Sequence, residues 1–102
     1  MWGTEGESDG QTEGVALDGS DNVYVTDQDN GRIQEFTSDG EFITKWGSSG
    51  TWDGQFNEPE GIDVGIDGKV YVADTGNNRI QVFDKASSQW RYHANFYLPF
   101  AQ

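Results

Sequence analysis

The sequence has no cysteine, a single histidine, and six basic residues against 18 acidic ones. Each shortage excludes something. Without cysteine there can be neither a disulfide framework nor a thiolate metal site, and the redox state of the compartment leaves no mark on the chain. A net charge of -12 repels phosphate, and nucleic-acid binding rests largely on Lys and Arg neutralising phosphates. Neither nucleic acid nor an anionic membrane is therefore expected as a partner. The charge itself has two readings, a solubilising surface or a surface that attracts cations or a basic protein. No apolar run approaches the ~18 residues of a membrane span. The opening Met1-Trp-Gly-Thr-Glu-Gly-Glu7 lacks the basic and apolar regions of a signal peptide. A soluble chain is expected, its compartment left open. A phosphate-loop motif is also missing.

Hydrophobic residues make up 33 % of the 102, against a usual ~45–50 % that also counts Gly, and with a mean hydropathy of -0.76 this raises the question of disorder. The 14 % of aromatic residues, set in Val/Ile/Tyr/Phe runs of strand length, answers it in favour of a fold. One small domain with a thin core is what this length allows.

What the chain does have is a repeat. Val70 to Phe83 reads as two short strands joined by a polar turn, and 47 positions earlier Val23 to Phe36 reads the same way. That shift places Val23, Tyr24, Val25, Asp27, Asn30, Arg32, Ile33, Gln34 and Phe36 on identical residues without a gap. Self-similarity at a fixed period of this length marks units that bury their faces only by stacking on neighbours.

The first unit, 14–47, predicts four strands: Val15 to Asp18, Val23 to Thr26, Arg32 to Phe36 and Phe42 to Trp46. Asp39-Gly40 supplies a hairpin signal between the last two, since Gly takes the positive φ that such a turn requires. Short strands with turns every eight to ten residues read as an antiparallel meander. Residues 48–60 read as a linker, and 61–98 as the second unit, with an Asp67-Gly68 hairpin. Ile80 and Val82 are expected on one face of its sheet, with Tyr71 and Phe83 on the other.

After Asp84 the similarity to the first unit lapses. Trp90, Tyr92, Ala94, Phe96 and Leu98 nevertheless alternate, and so are expected on one face of an extended last strand that Pro99 ends. Residues 1–13 read as the stub of a preceding unit's last strand plus a linker, because Trp2-Gly3 and Gly10-Gln11 echo Trp46-Gly47 and Gly54-Gln55. Residues 99–102 read as a tail.

Pro59-Glu-Gly61-Ile-Asp-Val64, Gly68-Lys-Val-Tyr-Val-Ala-Asp74, Asn77-Asn-Arg-Ile-Gln-Val-Phe83 and Lys45-Trp46-Gly47 with Gly54-Gln-Phe56 resemble the NHL repeat, a blade of β-propellers. The resemblance implies an all-β fold of two four-stranded antiparallel blades from a ring that in this family usually has six. Propellers generally have ~4–8 blades. Two blades leave apolar faces and strand edges that favour association, so the propeller is expected to be completed by oligomerisation or by missing sequence. Three copies are the simplest count.

The function expected is a non-enzymatic binding and assembly module. The alternative is a fragment of a propeller-type, metal-dependent lyase or hydrolase; as the resemblance implies, such enzymes use several histidines around a channel metal, and His93 is the only one here.

Asp27, Asn30 and Arg32, repeated as Asp74, Asn77 and Arg79, read as structural turn residues: the Asp accepts backbone N–H bonds, and the Arg bridges to it or to carbonyls nearby. Asp18 to Asn22 and Asp27 to Gly31 carry oxygen side chains at alternate positions like half of a calcium loop. Ser38 stands where an EF-type loop would need Glu. No cofactor is expected beyond weak calcium at these loops. Trp2, Trp90, Tyr92, Phe96 and Leu98 are the candidate interface residues, since aromatics dominate interface energetics.

Overall fold

The computed structural model of the chain describes residues 12–98. Strands β1 (Thr12–Leu17), β2 (Val23–Asp27), β3 (Arg32–Phe36) and β4 (Phe42–Trp46) pair in chain order into one antiparallel sheet. A small parallel pair, β5 (Ser48–Ser49) and β6 (Gln55–Phe56), interrupts the predicted linker. Strands β7 (Pro59–Val64), β8 (Val70–Asp74), β9 (Arg79–Ala86) and β10 (Gln89–Tyr97) form a second sheet of the same order. Short 3-10 turns at Gln28–Asn30 and Thr75–Asn77 join the middle strands.

Turn chemistry explains where the strands stop. Gly40 and Gly68 take φ of 90° and 88° in the two Asp-Gly turns, and their N–H groups donate to Thr37 O and Gly65 O at 2.9 Å. In the first sheet's opening turn, Asp21 occupies the position Gly68 holds in the second, at a φ of 67°.

Register corrects two expectations. Tyr71 pairs with Val82, and Val70 pairs with Phe83. Tyr71 therefore shares a face with Ile80 and Val82, and Phe83 lies on the opposite one with Val70 and Val72. Alternation orders side chains within a strand, whereas only cross-strand pairing relates two strands.

The second correction concerns β10. Tyr92 pairs with Phe83 but Ala94 pairs with Val82, so His93 is an extra residue, a β-bulge. A bulge reverses the alternation beyond it. Trp90 and Tyr92 consequently share Phe83's face, while Ala94 and Phe96 fall on the opposite one and Tyr97 lies opposite Arg79. The same bulge sits in the first sheet, where Glu35 pairs with Thr44 and Phe36 with Phe42, leaving Ile43 extra. Phe42 to Trp46 thus superposes on Tyr92 to Phe96, and the similarity that lapsed at Asp84 resumes at a shift of 50.

The sheets stack face to face. The forward face of the first, with Tyr24, Ile33 and Trp46, meets the rear face of the second, with Val70, Val72, Phe83 and Trp90. Trp46 stacks on Trp90 at 4.8 Å between ring centres, and Tyr24 meets Trp90 edge-on at 5.7 Å. Phe56 from β6 is fully buried and lies 5.6 Å from Phe83. Near the inner strands the backbones almost touch: a Cβ on Gly14 would run into the Glu60 carbonyl oxygen and crowd Ile62 Cγ2 at 3.3 Å. Glycine is what allows β7 to lie on β1.

Candidate functional site

The second sheet carries a buried polar clip at the end of β8. Asp74, Arg79 and Gln81 are each no more than 1 % exposed. Arg79 Nε donates to Asp74 Oδ2 at 2.7 Å, and Asn77 Nδ2 and Gln81 Nε2 donate to the same oxygen at 3.0 and 3.1 Å. The other carboxylate oxygen accepts the Asn57 N–H at 2.7 Å.

From this centre the clip reaches into the segment before β7. Arg79 Nη2 donates to Trp52 O at 2.9 Å and Gln55 O at 2.8 Å. Gln81 Nε2 donates to Gln55 O at 2.6 Å, while its Oε1 accepts the Gly54 N–H at 2.9 Å. Asn77 Nδ2 also donates to Gly50 O at 3.0 Å. Burial alone would lower the Arg79 pKa, but the bonds to Asp74 and the Tyr97 hydroxyl outweigh it and hold the guanidinium above its usual value. Loop backbone polar groups buried this way find side-chain partners instead of a ladder.

Asp27, Asn30, Arg32 and Gln34 repeat the core of that clip. Arg32 Nε donates to Asp27 Oδ2 at 2.9 Å, Asn30 Nδ2 to both carboxylate oxygens at 3.2 and 3.1 Å, and Gln34 Nε2 at 3.4 Å. Here Gln34 Oε1 is buried and has no hydrogen-bond partner among the described residues.

Between the sheets lies a cluster that no sequence pattern marks. Glu35 is fully buried, and its Oε1 accepts from Lys85 Nζ at 3.2 Å and Trp90 Nε1 at 3.0 Å. The Tyr24 hydroxyl lies 3.1 Å from Glu35 Oε2 and 2.8 Å from Asp18 Oδ2. Burial and then the bond to Asp18 push the Tyr24 phenol far above its ordinary value. Burial opposes the charge of Asp18, but bonds from Tyr24 and from the Ser20 and Asn22 amides prevail and hold its carboxyl below the usual range. A charge-assisted knot of this kind ties blade to blade.

The remaining candidates are spread out. Trp90 and Tyr92 face the first sheet, Phe96 and Leu98 are 58 % and 46 % exposed, and Trp2 lies outside the described residues. His93 at the bulge is half-exposed, with Nδ1 3.4 Å from Asp84 Oδ2. In the first calcium-like loop, Asp18 accepts the Ser20 and Asn22 N–H groups at 2.8 and 3.0 Å. Among the described residues no group of three or more His, Asp or Glu is placed to hold a metal, and no helix is long and apolar enough to cross a membrane.

Two four-stranded antiparallel meanders stacked face to face are blades of the β-propeller type. The NHL repeat model matches residues 13–36 and 56–83, just over half of the chain. The chain belongs to the NHL repeat family. A search of curated proteins gives no match.

Proposed function

We propose that this NHL module is a non-enzymatic binding and assembly unit whose propeller is completed between copies of the chain. The observation that carries this is Phe96. It pairs with Ile80 as Trp46 pairs with Ile33, yet Trp46 is packed against Trp90 and Phe83 of the next blade while Phe96 stands 58 % exposed. Ile43, Trp52, Tyr97 and Leu98 add further exposed apolar surface, and exposed apolar patches rimmed by polar groups mark interaction sites. Three copies would give six blades, within the ~4–8 of known propellers.

Light scattering tests the reading. A defined multimer near three chains is expected, and Phe96→Asp should convert it to a folded monomer. A wild-type monomer at high concentration would refute it. One zinc bound per chain and lost in His93→Ala would instead point to metal-dependent catalysis.

A further inference from the structure

Resting on that reading, we infer that the copies meet head to tail: the forward face of the second blade receives the rear face of the next copy's first blade. The interface inside the chain supplies the template. There, β1 and β2 present Gly14, Tyr24 and Thr26, and β7 lays Ile62 and Val64 against that side.

At a shift of 47 the second blade offers Gly61, Tyr71 and Ala73 in the same places. Together with Ile62, Asp63 and Ile80 they line a hollow of about 190 Å³. The residues that correspond to Ile62 and Val64 are Val15 and Leu17. In the second blade that pair is half-buried against the core. In the first blade Val15 and Leu17 stand 59 % and 57 % exposed. One copy thus has an empty seat where the next has the side chains that fill it.

Gly61 sharpens the case. Gly14 has to be glycine because the neighbouring strand's Glu60 carbonyl occupies the space of a side chain. Among the described residues only the Ala73 Cβ comes within 4 Å of a Cβ added at Gly61, at 3.5 Å, and the φ of Gly61 lies outside the left-handed region. Nothing among the described residues asks for glycine there, whereas a next copy docked as β7 docks on β1 would bring the Glu13 backbone into that space. A contact of this heterologous kind closes into a ring when its rotation permits.

The experiment compares the masses of Gly61→Val, Leu17→Asp and their equimolar mixture, with far-ultraviolet circular dichroism and thermal unfolding confirming the fold. Valine is favoured in a strand, and Leu17 is a surface position, so both variants should fold. Each alone is expected to shift the mass from the wild-type multimer to one chain. Mixed, they should form a dimer and nothing larger, because one variant keeps an intact rear face and the other an intact forward face. If Leu17→Asp stays multimeric while Gly61→Val does not, forward faces meet each other and the head-to-tail arrangement is wrong. It is equally overturned if both stay multimeric. A monomeric wild type sinks the assembly reading itself.

Discussion

The two blades carry the same clip in different company. In the second, Asp74, Arg79, Asn77 and Gln81 hold each other and also fasten Gly50, Trp52, Gly54, Gln55 and Asn57. Among the described residues of the first, Asp27, Asn30, Arg32 and Gln34 make the carboxylate-centred part, and one buried amide oxygen has no partner there. The lesson is that the repeated residues do two jobs. Their mutual bonds shape the turn, and their outward bonds capture the chain that crosses from the previous blade.

The largest effect should separate the two arginines. Arg79→Met is expected to cost about 3–5 kcal/mol, because it leaves Asp74 charged and buried without its partner. Arg32, with 16 % of its side chain exposed against 1 % for Arg79, should cost less on the same change, about 1.5–3 kcal/mol. Urea midpoints at constant slope measure both. Equal losses would mean that the clips are equivalent after all.

A smaller contrast lies between the glutamines. Gln81→Leu strands the part-buried Gly54 N–H and removes one of the two donors to the Gln55 carbonyl, which keeps Arg79, at about 1–3 kcal/mol. Gln34→Leu removes a long bond together with an unpaired oxygen and should fall within about 0.5 kcal/mol of wild type. A large loss at Gln34 would show that its oxygen is satisfied in solution.

The smallest expected effect is a pH dependence at the blade junction. The Asp18 carboxyl is held below its ordinary 3.8 in the folded chain. Its contribution is therefore complete above that value and is lost as pH falls through the lowered one. Asp18→Asn should be less stable than wild type at neutral pH, the gap closing below about pH 4. A gap that stays constant would remove Asp18 from the acid response.

Much of this was legible because local rules and the repeat agreed. Val-Tyr-Val runs, Asp-Gly turns and the shift of 47 marked the strands, and the family resemblance supplied the blade. The last strand hid itself. Tyr92 to Phe96 shares no identical residue with Phe42 to Trp46, and a three-residue change of shift separates them from the rest of the repeat. Its bulge inverts the alternation that, read along the strand, puts five residues on one face. Glu35 was hidden for another reason: a glutamate between Gln34 and Phe36 reads as surface, and its partners arrive only with Lys85 and Trp90.

The sequence by itself determined strand lengths, turn positions and the repeated Asp, Asn and Arg, all of which depend on neighbours a few residues apart. Which strand faces share a side, where Glu35 finds its cation, and which apolar surfaces stay uncovered were decided by tertiary structure. Those depend on cross-strand register and on the stacking of one sheet over another, and both bring together residues that are tens of positions apart in the chain.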